Sequence, residues 1–587
     1  MYDGIVIFFP DSAKEGSAIK NLRKLTAGIL TAALLAAALP TGVAAKDPFV
    51  VEGTTLVKYE GTALAVRVPE GITAIGASAF SGNRRLTRID LPKGVDTIEQ
   101  YAFYNCSVLE TVTMQDGVTN VGNSAFTNCP VLADVKLPDS VTELGQDAFA
   151  QCPKLTSVVL PDGITELKSG TFDSCRDLQK VTLPQDLAVI GNNAFRNCSM
   201  LSQITLPDGI GEIGSAAFAG CLRLQEINIP PYVTELSDNL FQQCLGLASI
   251  DIPETVTKIG SRTFDLCSGL KEISIPGSVT QIGNEAFAQC TGLKAVSIPS
   301  SVTDLGEGVF SGCTGLKSFS LPASMSTIPA KTFSNTGLET AVIPETVGEI
   351  GREAFSGCSL LSDIQAPDSV FLIGAGAFSG CPALTSVSLP GNLSILEENV
   401  FSNCTGLSKV SLPASLLSIR SYAFSGCKKL AGIVIPDTVM EISDTSFPSG
   451  VVLRGSEGSY TQEFAKNHEG YQFKLVTDPT PDAAYTGSIT LDTNSYVMAP
   501  KNIYDIGVKM TGAENKKLVV TSSRTGIASV TKLPNGNYRV TGIAPGITYI
   551  VFDVYDGGAR LTHASIKVNV QNGASQGGLA GRTTSYF

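Results

Sequence analysis

The chain has 587 residues, of which 43% are hydrophobic and 16% charged, with 58 Gly, 30 Pro and no Trp. This composition is typical of an ordered, turn-rich protein and excludes a largely disordered chain. The net charge is −12 and Lys and Arg are scattered, which disfavours nucleic acids and anionic membranes as partners. Only two His occur, His468 and His563, which makes His-based catalysis and His-rich metal sites improbable. The composition therefore favours a protein that is not an enzyme.

The N-terminal region has the pattern of a secretory signal. Three basic residues between positions 20 and 24 precede the apolar residues 25–39, and small residues up to Ala45 follow them. We therefore predict that residues 1–45 are a signal peptide cleaved after Ala45, although residues 1–17 do not resemble the start of one. The alternative is an uncleaved anchor, but the apolar stretch is shorter than the ~20 residues that span a bilayer. No later segment is apolar enough to predict membrane insertion after cleavage.

An internal repeat extends from about residue 60 to residue 450, and one Phe marks each unit. Fifteen of the sixteen intervals between these Phe are 23 residues long, and one, from Phe333 to Phe355, is 22. A period of this length with a strand-like apolar motif is typical of a leucine-rich-repeat solenoid. The marking residues are Phe80, Phe103, Phe126, Phe149, Phe172, Phe195, Phe218, Phe241, Phe264, Phe287, Phe310, Phe333, Phe355, Phe378, Phe401, Phe424 and Phe447.

The unit that begins at Leu86 shows how each repeat is expected to fold. Ile89 and Leu91 alternate at period 2, which predicts a short strand with both side chains inward. Pro92 lacks an N–H group and ends that strand. The apolar residues of 95–109 are spaced three or four apart, which predicts a helical turn or an irregular coil on the outer side. Because one unit cannot cover its own apolar face, stacking on neighbours must bury it.

The pattern A-F-x-x-C-x-x-L-x-x-[IV]-x-[LI]-P, read for instance from Ala286 to Pro299, resembles the leucine-rich repeats of BspA-like bacterial surface proteins. The resemblance implies secretion or surface exposure and a part in adhesion to host or neighbouring-cell proteins. We expect residues 46–447 to form a solenoid of parallel strands plus irregular or short helical coils. Residues 448–475 are predicted to cap it with a strand and a short helix in which Tyr460, Phe464 and Ala465 face the array. His468, at the helix end, is read as favourable to the helix dipole rather than as a ligand.

All fourteen Cys follow a repeat Phe by three residues, from Cys106 to Cys427. Three units lack a Cys. Asn83 and Gly450 replace it in the first and last units, and the 22-residue unit after Phe333 is predicted to have lost the position. An even number of Cys in an exported protein is compatible with disulfides. However, equivalent solenoid positions point the same way, so we favour a ladder of buried thiols over disulfides or a metal site.

The C-terminal part differs from the repeat. Residues 476–487 form a polar, Pro-bearing linker, and residues 488–571 contain about seven short apolar segments that predict an antiparallel sandwich. Asn535-Gly536 predicts a hairpin between two of the strands. The run from Ser522 to Val530 and the later segment 540–546 resemble bacterial group 2 immunoglobulin-like domains, which implies an immunoglobulin-like fold and a stalk or adhesion role. Residues 572–587 are rich in Gly and Ser and are predicted to be disordered.

The outward strand positions of the repeats form the predicted binding face, because partners usually dock on this side of such solenoids. The leading hypothesis is an adhesin-like surface protein that binds an extracellular protein or glycan there. The alternatives are a structural surface component without a dedicated ligand and, least favoured, a glycosidase, which would need two carboxylates in a cleft. We predict no cofactor and no bound metal. The candidate binding residues are Asp90, Lys136, Glu226, Asp251, Glu272, Ser274, Ser297 and Ser320.

Overall fold

A computed structural model describes most of the chain from Asp47 onward. The predicted signal peptide and residues 477–487 of the predicted linker lie outside the described residues. The described part contains one helix, Tyr460–Asn467, and otherwise strands, turns and bends. The described residues are 47–476, 488–493, 495–511, 516–522, 525–556, 559–573, 577–579 and 583–586.

Each repeat contributes up to two short strands, and these stack into two parallel rows that we call the front row and the second row. In the front row, Arg88–Asp90 pairs in parallel with Thr111–Thr113 of the next repeat. The front-row strands are Ala65–Arg67, Arg88–Asp90, Thr111–Thr113, Asp134–Lys136, Ser157–Val159, Lys180–Thr182, Gln203–Ile204, Glu226–Ile227, Ala295–Ser297, Ser318–Ser320, Thr340–Val342, Asp363–Gln365, Ser386–Ser388, Lys409–Ser411 and Gly432–Val434. The second-row strands are Ala74–Ile75, Thr97–Ile98, Asn120–Val121, Glu143–Leu144, Glu166–Leu167, Val189–Ile190, Glu212–Ile213, Glu235–Leu236, Lys258–Ile259, Gln281–Ile282, Asp304–Leu305, Thr327–Ile328, Glu349–Ile350, Leu372–Ile373, Ile395–Leu396, Ser418–Ile419 and Glu441–Ile442.

The second row corrects the expectation of helical turns after each Pro. Thr97–Ile98 forms a two-residue strand in which Ile98 is fully buried, and it pairs with equivalent strands on both sides. A two-residue strand presents only one side chain to the core, so it leaves no alternation for sequence analysis to detect. The repeats of the described chain contain no helix. The solenoid is therefore built from β-strands and turns.

The outer turns also pair with their neighbours through the backbone. The amide of Phe103 donates to the carbonyl of Ala125 at 2.8 Å, and the same bond recurs along the array. The residue before most Cys adopts a left-handed backbone, with φ of 59° at Asn105 and 74° at Gly220. Asn and Gly tolerate this conformation best, which explains why they so often precede the Cys. Leu266, at φ 64°, holds the same conformation despite its larger side chain.

The repeat Phe form one continuous stack through the core. Consecutive rings from Phe80 to Phe447 have centroids 5.0 to 5.9 Å apart and planes within 19° of each other. These separations correspond to offset stacking, a favoured arrangement of aromatic pairs. Most of the rings are completely buried. The stack therefore joins all repeats into one hydrophobic core.

The fourteen Cys are buried free thiols, in agreement with the predicted ladder. Each Sγ donates to the backbone carbonyl of the preceding repeat's Phe at 3.1 to 3.3 Å, as from Cys175 to Phe149. Burial raises the pKa of Cys175 and Cys221 to about 12. The position that the 22-residue unit was predicted to lack is filled by Thr336, whose Oγ1 lies 3.2 Å from Cys358 Sγ.

The ends of the array are closed by different elements. At the N-terminus the antiparallel strands Phe49–Glu52 and Thr55–Tyr59 form a hairpin that sequence analysis missed. The ring of Tyr59 continues the aromatic stack, 5.2 Å from Phe80. At the C-terminus the strands Val452–Gly455 and Gln472–Leu475 flank the helix and pair in parallel.

The face that the cap helix buries against the array agrees only partly with the predicted one. Phe464 and Ala465 are buried as expected, but the third buried residue is Thr461, whereas Tyr460 is 37% exposed. His468 lies at the helix end, where its Nδ1 is 2.7 Å from the Phe464 carbonyl and its Nε2 is 2.9 Å from Asp444 Oδ1. Because Asp444 belongs to the last repeat, His468 joins the cap to the array.

The C-terminal residues form three sheets around a second hydrophobic cluster that includes Ile550, Phe552 and Ile566. The hairpin predicted at Asn535-Gly536 is confirmed, with φ of 87° at Gly536 between two antiparallel strands. The strands are Ser488–Leu491, Ser495–Met498, Ile503–Ile506, Val508–Thr511, Lys517–Ser522, Ala528–Lys532, Tyr538–Gly542, Gly546–Asp556, Ala559–Val570, Gly577–Leu579 and Thr583–Tyr586.

Two of these strands fall in the segment 572–587 that was predicted to be disordered. Gly577–Leu579 pairs with Ser495–Met498, and Thr583–Tyr586 pairs with Ser488–Leu491. The prediction was wrong for these residues because it considered only composition. Backbone pairing with a preformed strand edge requires no apolar side chains.

We predict that Phe218→Ala lowers the free energy of unfolding by about 3–5 kcal/mol, because it leaves a cavity in the core. The Phe218 ring is fully buried between two stacked neighbours. Thermal and denaturant unfolding followed by circular dichroism measures the change. Leu222→Ala in the same repeat is the control, since Leu222 is 39% exposed and should change stability by less than about 0.5 kcal/mol. Equal effects of the two changes would contradict the role of the stack.

We predict that the fourteen thiols resist modification in the folded protein because all of them are buried, and burial raises the pKa of thiols such as Cys175 and Cys221. A thiol-reactive dye should label almost none of them in native protein at mildly alkaline pH. After denaturation without reductant it should label all fourteen. A count well below fourteen that rises when reductant is added would show that disulfides are present instead.

Candidate binding face

The front-row strands expose alternate side chains, as the period-2 pattern predicted. In Asp134–Lys136 the middle residue Val135 is buried and both flanking side chains are exposed. The same arrangement recurs in several other front-row strands. Exposed positions are therefore held at a regular spacing by a core in which they take no part. We call this exposed surface the binding face.

Two of the predicted residues lie close together at the N-terminal end of the binding face. Asp90 is the strand neighbour of Arg67 on one side and of Thr113 on the other. Lys136 is the neighbour of Thr113 in the next repeat. The structure thus places Arg67, Asp90, Thr113 and Lys136 in one row across four adjacent strands. This row alternates basic, acidic, neutral and basic groups.

Asp90 is the best-organised charge of this row. The guanidinium of Arg88 donates to its carboxylate from both Nε and an Nη atom, at 3.1 and 3.0 Å. Partial burial opposes ionisation of Asp90, but hydrogen bonds from Thr113 and Arg88 outweigh it and lower the pKa of this carboxyl. Asp90 is therefore held as an anion, in a fixed direction, on the binding face.

The acidic residues in the middle of the binding face are not organised in the same way. Glu226 is exposed on the strand Glu226–Ile227, and its Oε1 accepts a hydrogen bond from Gln203 Nε2 at 3.4 Å. Asp251 and Glu272 are exposed too, but the array as described has no front-row strand between residues 228 and 294. Ser274 lies in the same interruption. These residues are displayed on the surface, and the structure does not gather them into a cleft.

Ser297 and Ser320 are brought directly together, since they are paired residues of adjacent parallel strands. Both are exposed. Sequence analysis did not select three apolar residues that occupy the same strand position in other repeats. Val159, Val342 and Val434 are 65%, 60% and 50% exposed, respectively. The signal that identifies them is a Val where most repeats carry Ser, Thr or a charged residue.

Within the residues that the structure covers, no three His, Cys, Asp or Glu side chains are arranged to hold a metal ion. None of the described helices has the length and apolar character of a membrane-spanning segment.

Known structures provide several comparisons. The chain is similar to a leucine-rich repeat protein from Bacteroides ovatus, with 26% identity over 74% of this chain and 97% of that one and a TM-score of 0.46. It is similar to a leucine-rich cell surface protein from Faecalibacterium prausnitzii, with 26% identity, coverage of 68% and 93%, and a TM-score of 0.37. The pneumococcal vaccine antigen PcpA is 16% identical, with coverage of 73% and 96% and a TM-score of 0.30. No curated protein matches the chain significantly.

The repeat region also matches a defined protein family. The family is described as BspA type leucine-rich repeat region, and it matches residues 60–176, 119–248, 234–361 and 326–451. These overlapping segments cover the array continuously from residue 60 to residue 451, about two thirds of the chain. The chain therefore belongs to the family of proteins with BspA-type leucine-rich repeats.

Proposed function

We propose that this protein is an exported component of a bacterial cell surface that binds extracellular proteins or glycans through the binding face. The observation that carries the proposal is the exposed row of small polar and charged side chains on a rigid, fully stacked core. Membership of the BspA-type family supports a role in protein binding. In this proposal the protein performs no catalysis, uses no cofactor and binds no nucleic acid.

The geometry suits many weak contacts rather than one deep site. Parallel strands lie about 4.8 Å apart, so equivalent side chains recur at that spacing along the array. Small residues such as Ser297 and Ser320 allow a partner's backbone or a sugar ring to approach closely. The charged row around Asp90 and the acidic Glu226 would fix the orientation of a bound partner, because interface charges determine orientation and specificity more than affinity. Repeated weak contacts of this kind add up when a partner is itself repetitive.

We also propose that residues 488–571 form a bacterial group 2 immunoglobulin-like domain that supports the array. The antiparallel pairing of Ala528–Lys532 with Tyr538–Gly542 and the separate hydrophobic cluster are consistent with this proposal. The strands Gly577–Leu579 and Thr583–Tyr586 pair with strands of this unit.

One observation favours the alternative of a structural surface component without a dedicated ligand. The exposed positions of the front-row strands carry no Trp, Tyr or Phe. Aromatic residues and Arg dominate the energetic centres of most protein interfaces. The binding experiment below decides between the two functions.

We predict that the full chain binds a component of a panel of immobilised extracellular-matrix proteins, glycans and bacterial cells, and that the variant E226K/E272K weakens this binding at least fivefold. Both residues are exposed on the binding face, so reversing their charge should not affect folding. Surface plasmon resonance at two salt concentrations measures affinity and its electrostatic part.

The matched control is E166K/E212K, which reverses two exposed charges of the second row. Equal losses in both variants would show that net charge, and not the binding face, governs the interaction. If no component of the panel shows saturable binding, the structural function replaces the adhesin-like one.

A further inference from the structure

A cavity of about 620 Å³ lies away from the binding face and is lined by both the repeat array and the C-terminal domain. Its array side consists of second-row strands and the turns before them, around residues 326–392. Its other side includes Ile547, Tyr549 and Val551 of the strand Gly546–Asp556. This volume lies within the range that small-molecule and side-chain pockets occupy.

An unusual residue of the array forms part of the cavity wall. The position that precedes each second-row strand is Thr in most earlier repeats, as at Thr280 and Thr303, but it is Phe371 here. The equivalent residue of the adjacent repeat is Gly348, and a Cβ added there would lie 2.3 Å from Cε1 of the Phe371 ring. Gly348 therefore makes the space that the ring occupies.

The opposite wall presents a second aromatic ring. In the strand Gly546–Asp556, Ile550 and Phe552 point into the domain's own core and are fully buried. Tyr549 therefore points to the other side of its sheet, where its ring centroid lies 3.7 Å from that of Phe371. The unusual Phe371 of the array and the outward-facing Tyr549 of the C-terminal strand thus meet at the cavity.

The charged residues that line the cavity are all acidic, and the nearest cation in the sheet is Lys567, the strand partner of Tyr549. Glu345, Glu349 and Asp368 line the cavity, and no Lys, Arg or His belongs to its lining. Asn392 and several hydroxyl side chains add neutral polar groups. A carboxylate binds an organic cation through charge-assisted hydrogen bonds, and an aromatic ring attracts the same cation through its quadrupole. The same arrangement repels anions.

We propose that this cavity binds an organic cation, a guanidinium or ammonium group carried on an apolar body. Glu345 and Glu349 pair with the cationic head, while Phe371 and Tyr549 contact the apolar part. Such a group is found in free amines and in the Arg or Lys side chains of a peptide. The site is separate from the binding face and does not depend on the proposed adhesin-like function.

The test compares probes of one shape and different charge on the full chain. Benzamidine is a planar aromatic cation, benzamide is its neutral counterpart and benzoate is the anionic one. We expect calorimetry or ligand-observed NMR to show binding of benzamidine, at least tenfold weaker binding of benzamide and none of benzoate. Equal binding of benzamidine and benzamide would overturn the proposal. Absence of benzamidine binding together with absence of binding by the blocked peptide Ala-Ala-Arg-Ala-Ala would overturn it too.

The two cationic probes distinguish the sources of the ligand. Tighter binding of the arginine peptide identifies a protein side chain as the ligand, and tighter binding of benzamidine identifies a small molecule. Either result supports the cationic site.

Matched variants locate the binding in the cavity. E345Q and E349Q should each weaken binding of the cationic probe at least threefold. E254Q and E212Q change the equivalent residues of repeats outside the cavity and should leave it unchanged. F371S removes the aromatic ring and introduces Ser, the residue that the next repeat carries at the equivalent position, Ser394. This variant should also weaken binding. Unchanged thermal unfolding verifies that each variant is folded. Equal losses in cavity and control variants, or full binding by F371S, would overturn the proposal.

Discussion

The contact between one coil and the next is the interaction on which the rest of this structure depends. A 23-residue coil has too little chain to enclose its own apolar side chains, so each Phe ring is covered by the rings before and after it. The thiol of each Cys adds a hydrogen bond to the carbonyl of the preceding Phe, which satisfies a buried acceptor between coils. Backbone bonds between outer turns complete the same connection. Stability is therefore a property of neighbouring repeats rather than of any single one.

This constraint explains why the one short repeat is tolerated. The ring of Phe333 remains 5.4 Å from that of Phe355, with planes 19° apart, so the stack passes through the 22-residue unit unbroken. Thr336 supplies a small polar side chain in the row of thiols, and Leu338 is buried in the core. The lost residue shortens a turn and does not change the core.

The same constraint separates stability from recognition. Front-row side chains alternate between a buried residue that holds the repeat together and exposed residues that make no contribution to the core. Exposed positions can therefore vary from repeat to repeat, and they do so, from the charged row around Asp90 to the paired Ser297 and Ser320. The Phe371 position shows the same freedom on another surface, since an aromatic residue replaces the usual Thr without disturbing the second-row strand Leu372–Ile373.

The sequence by itself determined the features that recur at a fixed spacing. The period located every stacked Phe, placed the Cys in the core and identified which strand residues are exposed, because each of these depends on local alternation and on the repeat. The hairpin at Asn535-Gly536 was equally readable, since its turn requires a residue that tolerates positive φ. Only the tertiary structure decided the second-row strands, the interruption of the front row around Asp251 and Ser274, and the pairing of residues 577–579 and 583–586. It also decided the meeting of Phe371 with Tyr549. These features depend on backbone pairing or on contacts between residues far apart in the chain, and neither leaves a pattern in the local sequence.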